Sequence, residues 1–416
     1  MAAALAAAAG LALLPPSALY FAEYAWAPSP LGTGAMCASA PGAQLRAAFS
    51  GSASVALVVD ATATAAQAAA SPLVAWSVDL AMWRSSWAAA PNNGSVQLLP
   101  LAAGLDAAAG HAVRVVLDAS SQSGDRWLFS ATDNQFLCVL GLAVDAGGAA
   151  LAPALRPRRG LVFGDSITEG ATALRMVFGP GTGPGAGGGG WGCDSGGNGA
   201  YASSNLNAWA HHVSEALDAE FSLSAFAAQG YATRNSYNYG NVPPLITPGD
   251  DAASAWDKVF ANASRLPALA ARPPDFIFNA EGWNDQVVPA TQLTPVVTAS
   301  LAALRAATGP RTVIFQVLPF GGLMCDANAT RAALMEGFAA YKASAGGAAD
   351  DCALLLDTYP LAIEGITGNC KGNIETTSSC EGTHPNVWAH ARIAAIVTMR
   401  ATQLLSSVGD RCGFGR

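Results

Sequence analysis

The chain has 416 residues, of which 51% are hydrophobic and only 12% are charged. This length is more than one compact core usually contains, so two domains are expected. The formal net charge is −8, with 21 lysines and arginines against 29 aspartates and glutamates. Such a balance argues against nucleic acid or an anionic membrane surface as a partner, because both bind basic faces.

The N-terminal 14 residues form an apolar run that is too short to span a bilayer. No lysine or arginine precedes the run, so it is an imperfect secretory signal, and an alanine-rich terminal helix explains it equally well. Residues 1–25 are therefore interpreted as a signal or terminal segment. Eight cysteines and three glycosylation sequons, at Asn93, Asn262 and Asn328, favour an oxidising compartment. A secreted or extracellular protein without a membrane span is expected.

Residues 40–150 have the pattern of short strands separated by turns. The clearest candidates are Val55–Val59, Ala112–Leu117 and Phe136–Val144. Several short strands with regular turn signals predict a β-sandwich, similar to a jelly roll. Residues 151–159 contain two prolines and are interpreted as a linker.

Residues 160–408 have a different pattern, in which apolar strand candidates alternate with helical stretches. The strand candidates are Gly160–Phe163, Ser222–Ala227, Phe276–Phe278, Thr312–Leu318 and Ala353–Leu356. The helical stretches are Asn205–Glu220, Thr294–Ala307, Thr330–Ala343 and Val387–Leu405. This alternation predicts a parallel sheet covered by helices on both faces, with an active site at the carboxyl ends of the strands.

A glycine-rich insertion, residues 179–199, fits neither domain. More than half of it is glycine, and it carries Trp191 and Cys193. This composition favours a disordered surface insertion. The alternative is a mobile loop that brings Trp191 to a substrate.

Ser166 lies just past the first strand of the α/β region, in the sequence Gly-Asp-Ser-Ile-Thr-Glu-Gly over residues 164–170. A serine at such a strand tip exposes its hydroxyl, and the backbone N–H groups of the turn point to where an oxyanion would form. Ser166 is therefore a candidate nucleophile. The tripeptide alone is equally typical of a turn in which the serine caps the next helix.

His384 lies in a loop immediately before the last helical stretch, in the sequence Glu-Gly-Thr-His-Pro. A serine hydroxyl needs a base to take its proton, and the pKa of histidine suits that role near neutral pH. In isolation a solvated loop histidine is the more common case. However, His384 is the one histidine of five in a predicted loop of the α/β region. Glu381, three residues earlier, is placed to hold the imidazole.

Two further turns follow predicted strands. Asn284, in Gly282–Asp285, is a candidate hydrogen-bond donor to an oxyanion through its side-chain amide. Gly230, after Gln229, is a candidate donor through its backbone N–H. Both residue types are also common in ordinary turns.

These four segments resemble the SGNH hydrolases, also called GDSL-type esterases, and they occur in that family's order over about residues 160–405. The resemblance implies a flavodoxin-like three-layer α/β/α fold. It also implies that Ser166 is the nucleophile and His384 the general base. The oxyanion donors would be the N–H groups of Ser166 and Gly230 and the side chain of Asn284.

Glu381 departs from the family's pattern, which has aspartate three residues before the catalytic histidine. Glutamate is one methylene longer, so the loop must adjust if Glu381 is to orient His384. The alternative is a Ser-His dyad in which a backbone carbonyl orients the imidazole.

A β-sandwich ahead of an SGNH domain resembles carbohydrate esterase family two, whose members remove acetyl groups from plant polysaccharides. The resemblance implies a serine esterase that deacetylates carbohydrate esters through an acyl-enzyme, with an acylated carbohydrate or another small ester as its substrate. Trp191 and Trp283 are candidate substrate contacts and Trp388 also lies near the motifs, since exposed indole rings stack on sugars, although tryptophan is more often in the core.

Two other functions are weighed against this one. A lipid or general acyl esterase, of lysophospholipase or thioesterase type, would require an apolar groove that is not readable from the sequence. A catalytically silent carbohydrate-binding protein would not need both Ser166 and His384.

No metal or cofactor is expected, because no zinc-type or phosphate-binding spacing occurs. Cys370 and Cys380 flank the loop before His384 and are predicted to pair.

Overall fold

The computed structural model describes residues 10–61, 72–87, 95–121, 125–129, 135–171, 173–174, 203–234, 241–320, 327–358 and 384–412. Within these ranges the fold is mixed α/β. An antiparallel N-terminal region is followed by a region built on a parallel sheet.

The N-terminal region contains two six-stranded antiparallel sheets. The first has the order β3-β4-β11-β6-β9 with β1 beside β11, where these strands are Leu11–Leu14 (β1), Ala27–Pro28 (β3), Met36–Ala38 (β4), Ser54–Asp60 (β6), Val96–Ala103 (β9) and Leu137–Asp145 (β11). The second has the order β12-β5-β10-β7-β8 with β2 beside β5, where these are Tyr20–Phe21 (β2), Gln44–Ser50 (β5), Leu73–Val78 (β7), Arg84–Trp87 (β8), Gly110–Ala119 (β10) and Ala149–Leu151 (β12).

One apolar core is shared by these two sheets. In β5 the buried residues Leu45, Ala47 and Phe49 alternate with partly exposed ones, as expected for a strand with one face in a core. The same cluster contains Leu57 and Val59 of the other sheet. The disulfide Cys37–Cys138 joins directly paired positions of β4 and β11.

The strands of this region extend beyond the predicted β-rich segment, residues 40–150, at both ends. Leu11–Leu14, predicted to be a signal or part of a terminal helix, is a strand that pairs with Leu142–Asp145. The strands therefore begin well before residue 40. The predicted linker is also shorter, because Ala149–Leu151 pairs with β5 and the next strand begins at Arg158.

The second region is built on a five-stranded parallel sheet with the order β14-β13-β17-β18-β19. Its strands are Arg158–Gly164 (β13), Ala219–Ala225 (β14), Phe276–Ala280 (β17), Val313–Val317 (β18) and Ala353–Leu356 (β19), and a small antiparallel pair is formed by Lys258–Phe260 (β15) and Ala263–Ser264 (β16). The described helices are Ser166–Glu169 (α1), Trp209–Ala216 (α2), Leu266–Ala271 (α3), Ala290–Thr308 (α4), Ala327–Ala343 (α5) and Val387–Val408 (α6). The predicted parallel sheet is confirmed, with each predicted strand overlapping an observed one.

Two apolar cores cover the parallel sheet. Phe276 and Phe278 belong to one core with residues of α2 and α6, whereas Ile277 between them belongs to another core with residues of α3, α4 and α5. Successive side chains of a strand point to opposite faces, so helices pack on both sides. The carboxyl ends of the strands remain available for a site. In the described part of the chain, no helix is long and apolar enough to cross a membrane.

Candidate active site

Ser166 is the first residue of α1 and lies directly beyond the carboxyl end of β13, the second strand of the sheet. The Asp165 carboxylate caps this helix by accepting a hydrogen bond from the N–H of Ile167 at 2.9 Å. Gly170 ends the helix with a φ of +79°, a left-handed conformation that suits glycine. The short helix thus holds Ser166 at the edge where the sequence predicts the site.

His384 lies beside this serine, although 218 residues separate the two in the chain. Its Nε2 atom is 2.7 Å from the Ser166 Oγ atom, which is a normal hydrogen-bond distance. The histidine is fixed just before α6, whose first turn is capped by Asn386. An imidazole nitrogen in this position is able to take the hydroxyl proton and so generate a nucleophile.

Asp165 is completely buried next to Ser166. Burial raises the pKa of its carboxyl to about 7, while the N–H of Ile167 and the charge of His384 favour the ionised form. Its second oxygen lies 3.4 Å from the Asn284 amide nitrogen. Asp165 therefore links α1 to the turn after β17.

Asn284 lies in a short 3-10 turn, Trp283–Asp285, just beyond the carboxyl end of β17. Its amide nitrogen donates a hydrogen bond to the carbonyl of Gln229 at 2.6 Å. The turn after β14 and the turn after β17 are thereby joined on either side of Ser166. This arrangement places an amide donor at the same sheet edge as the serine hydroxyl.

Gly230 is next to this hydrogen bond, but its own N–H donates to the carbonyl of Thr233 at 3.0 Å. A side chain at this position would lie 2.5 Å from the Asp285 carboxylate. The structure thus gives a packing reason for glycine here. Donation by the Gly230 N–H to an oxyanion requires the bond to Thr233 to open.

Asp285 organises the loop around Gly230, a role that is not predicted from the sequence. Its carboxylate accepts hydrogen bonds from the N–H groups of Tyr231, Ala232 and Thr233 and from the Thr233 hydroxyl, at 2.7 to 3.0 Å. Burial raises its pKa, while these bonds favour the charged form. The one feature of the sequence that points to Asp285 is its position immediately after Asn284.

Glu281 is a third buried carboxyl at this edge, beside Asp165 and Asp285, and it is completely inaccessible to solvent. Among the described residues, neither of its oxygens has a hydrogen-bond partner. Burial raises its pKa well above the ordinary value, and the neighbouring charges of Asp165 and Asp285 raise it further. Burial therefore favours the neutral form of Glu281, whereas Asp285, which is equally buried, accepts four hydrogen bonds that favour its charged form.

Several predicted features lie outside the described residues. These are Glu381, Trp191 with the glycine-rich insertion 179–199, and the Cys370–Cys380 pair. In the described part of the chain, no group of three or more histidine, cysteine, aspartate or glutamate residues is placed to hold a metal ion.

The two described tryptophans near the motifs differ in their surroundings. Trp283, predicted as a substrate contact, is only 5% exposed and packs in the core beneath the sheet. Trp388 is 63% exposed in the first turn of α6, four residues after His384. Of these two rings, only that of Trp388 offers a face to solvent.

No protein-family model and no curated protein matches the sequence. Solved structures do match. A family two carbohydrate esterase from Cellvibrio japonicus is 15% identical, with a TM-score of 0.64, and the match covers 96% of this chain and 98% of that one. A family two carbohydrate esterase from Clostridium thermocellum in complex with cellohexaose is 13% identical, with a TM-score of 0.63 and coverage of 93% and 99%.

An acetyl xylan esterase from the rumen bacterium Butyrivibrio proteoclasticus is also similar. It is 15% identical, with a TM-score of 0.63, and the match covers 98% of this chain and 100% of that one. At these identities the likeness concerns the fold. The chain therefore has, over nearly its whole length, the fold of the family two carbohydrate esterases.

Proposed function

We propose that the protein is a serine esterase of the SGNH type that removes acyl groups, and specifically acetyl groups, from carbohydrates. The observation that carries this proposal is the hydrogen bond of 2.7 Å between the Ser166 hydroxyl and His384 Nε2 at the carboxyl edge of the parallel sheet. A nucleophile and a base in direct contact are the minimum that acyl transfer requires.

In the proposed reaction, Ser166 Oγ attacks the ester carbonyl carbon while its proton passes to His384 Nε2. The tetrahedral intermediate collapses, the bond to the alcohol oxygen breaks, and the sugar hydroxyl leaves with the proton from His384. Water then attacks the acyl-enzyme with the same base, and the acid is released as Ser166 regains its proton. Each proton that the histidine takes is returned in the same half-reaction.

The oxyanion would be stabilised by the N–H of Ser166, at the beginning of α1, and by the Asn284 amide. Both donors belong to the edge at which the hydroxyl lies. Donors that are fixed before the reaction stabilise developing charge effectively, because they need not reorganise. The Gly230 N–H is proposed as a third donor, which acts after its bond to Thr233 opens.

The third member of the site is proposed to be Glu381, which would orient His384 through its other ring nitrogen. The alternative is a dyad oriented by a backbone carbonyl. A carboxylate in this role holds the correct tautomer and stabilises the imidazolium.

The substrate class is supported by the comparisons. Two of the similar structures are described as family two carbohydrate esterases, one of them with cellohexaose bound, and a third is an acetyl xylan esterase. We propose acetylated polysaccharide as the substrate of this chain, with Trp388 and Trp191 as aromatic contacts for sugar rings.

We also infer the arrangement of the domains. The two antiparallel sheets around one core would form a β-sandwich domain over about residues 11–151, and the parallel sheet with its helices a flavodoxin-like three-layer domain over residues 158–408. The Cys37–Cys138 and Cys352–Cys412 disulfides support an oxidising, extracellular location.

The proposal is tested by comparing the wild type with Ser166→Ala on an aryl acetate and on acetylated xylan. We expect release of acetate from both by the wild type and a loss of at least about a thousandfold in the variant. A series of aryl esters from acetyl to octanoyl separates the alternatives. Activity that rises with chain length would indicate a lipid or general acyl esterase. Glycan binding without any hydrolysis would indicate a carbohydrate-binding protein.

A further inference from the structure

Arg126 lies in the N-terminal region, between β10 and β11, yet its side chain contacts the nucleophile helix. Its Nη1 atom donates a hydrogen bond to Glu169 Oε2 at 2.7 Å, and both side chains are only 3% exposed. Glu169 is the last residue of α1, the helix that begins with Ser166. The N-terminal region thus supplies a buried cation to the helix that carries the nucleophile.

The same guanidinium contacts the turn on the other side of the serine. It lies 5.5 Å from the centroid of the Phe226 ring, directly after β14. The Phe226 carbonyl accepts a hydrogen bond from the N–H of Gln229 at 3.1 Å. The Gln229 carbonyl in turn accepts the hydrogen bond from Asn284. One side chain is therefore connected both to the nucleophile and to the proposed oxyanion donor.

The backbone around Arg126 is fixed as well. The Asp125 carboxylate accepts hydrogen bonds from the N–H groups of Trp127 and Leu128, both at 2.8 Å. Trp127 packs edge-on against Phe226, with ring centroids 5.7 Å apart, and its carbonyl accepts from the N–H of Ala261. The Asp125 carboxylate also accepts a hydrogen bond from the Asn241 amide at 2.9 Å, so the segment is anchored to the α/β region on both sides of the arginine.

Stability alone is a poor explanation for this buried pair. Removing two charges from water is costly, and replacing a buried ion pair with apolar residues is often neutral or stabilising. An arginine, however, is rigid and planar and makes directional contacts with a carboxylate and an aromatic ring together. These properties suit a group that fixes two loops relative to each other.

We propose that Arg126 is a positioning residue for Ser166 and Asn284, so that the esterase site is completed by the N-terminal region. This inference rests on the proposed function. It assigns to the β-rich region a part in catalysis, in addition to any contact with the polysaccharide.

The test uses the full chain with Arg126→Met, Arg126→Lys and the double variant Arg126→Met/Glu169→Met. The matched control is Arg305→Met, since Arg305 pairs with the buried Asp350 at 2.8 Å near the amino ends of the strands, away from Ser166. For each protein we would measure kcat and KM on an aryl acetate, the rate at which a fluorophosphonate labels Ser166, and the Tm.

We expect Arg126→Met to lower kcat and the labelling rate by about tenfold to a hundredfold, with little change in KM, because small displacements of reacting groups have effects of this size. Arg126→Lys should recover part of the loss. The double variant should regain the Tm but not kcat. If Arg126 had only a structural role, the double variant would regain both. Arg305→Met should lower the Tm without lowering kcat. If Arg126→Met does not fold, the Lys and double variants carry the test.

Wild-type kcat and labelling in the folded Arg126 variants, or recovery of both kcat and Tm in the double variant, would overturn the inference while leaving the esterase proposal intact. A wild-type protein that neither hydrolyses esters nor reacts with the fluorophosphonate would overturn both.

Discussion

The amide nitrogen of Asn284 lies near two hydrogen-bond acceptors, one closer than the other. It is 2.6 Å from the Gln229 carbonyl and 3.4 Å from the Asp165 carboxylate. The shorter contact fixes the side chain, while the longer one leaves the second N–H poorly satisfied. An oxyanion that forms beside Ser166 would be a better acceptor for that second N–H.

We therefore predict that Asn284→Ala lowers kcat by about a hundredfold to a thousandfold, as does removal of a comparable oxyanion donor elsewhere. KM should change little, because the ground-state carbonyl carries less charge than the oxyanion. Steady-state kinetics on an aryl acetate would measure both constants. A variant with unchanged kcat would remove Asn284 from the oxyanion site.

The second residue-level prediction concerns Glu281, whose pKa is raised by burial. The folded state keeps a proton that the unfolded state releases above about pH 4.3. This carboxyl therefore contributes less stability as the pH rises from that value toward its folded pKa, by about 1.4 kcal/mol per pH unit. Glutamine mimics the neutral acid and has no such dependence.

Glu281→Gln should accordingly gain stability relative to the wild type as the pH rises from 5 to 8, when unfolding is followed in urea. The control is Glu336→Gln, because Glu336 is exposed on α5. A stability difference that stays constant with pH would show that Glu281 is ionised in the folded protein.

Glu381 is tested by its own conservative substitution. If its carboxylate orients His384, Glu381→Gln should lower kcat by about four powers of ten, because the amide favours the wrong tautomer. A backbone carbonyl in the same role would not be affected. Nearly full kcat in this variant would establish the dyad.

At the scale of elements, the loop after β14 is held in shape by one carboxylate. Asp285 binds three successive backbone N–H groups, and Gly230 leaves room for it. We predict that Gly230→Ala lowers kcat, because a methyl group 2.5 Å from the Asp285 carboxylate must displace the loop that also holds Asn284.

Gly346→Ala is the control for this substitution, since no described atom lies within 4 Å of the methyl group there and the φ of Gly346 is not positive. Kinetics and thermal unfolding of both variants would separate the effects. Equal kcat values for the two would mean that the loop adapts to the methyl group without moving Asn284.

The strands differ in how well the sequence predicts them. The strand Ala353–Leu356 was located to the residue, because short, fully apolar runs between polar turns are typical of buried parallel strands. Ser166 and His384 could be paired because loops at the carboxyl ends of parallel strands converge. By contrast, the strand Leu11–Leu14 is not predicted from the sequence, since an alanine- and leucine-rich run has no period that distinguishes a strand from a helix or a signal.

The sequence contains no local pattern that predicts contacts between distant segments. Arg126 is an ordinary arginine in the sequence, and only the packing of its segment against α1 brings it to Glu169. The sequence also does not predict that Trp283 is buried, because the turn that contains it is polar. Residue type and spacing predict which strand ends carry the chemistry, but the groups that surround them depend on tertiary packing.

At the scale of the whole molecule, buried and partly buried ion pairs join the antiparallel region to the α/β region. Besides Arg126–Glu169, Arg46 contacts Glu220 at 2.7 Å, and Arg114 contacts Glu215 at 2.7 Å. The buried Asp118 at the end of β10 also accepts a hydrogen bond from the Ser204 hydroxyl at 3.0 Å. An interface with several buried and partly buried polar pairs is costly to separate, because each group would lose its partner. The two regions are therefore expected to unfold together.

This expectation can be tested with the two described disulfides, because each lies within one region. Cys37–Cys138 closes a span of 101 residues in the antiparallel region, and Cys352–Cys412 a span of 60 residues in the α/β region. Replacing either pair with serines should reduce stability by about 4 kcal/mol from loop entropy. Under calorimetry both variants should shift one common transition to lower temperature. Two resolved transitions, each moved by only one of the variants, would instead show that the regions unfold independently despite their ion pairs.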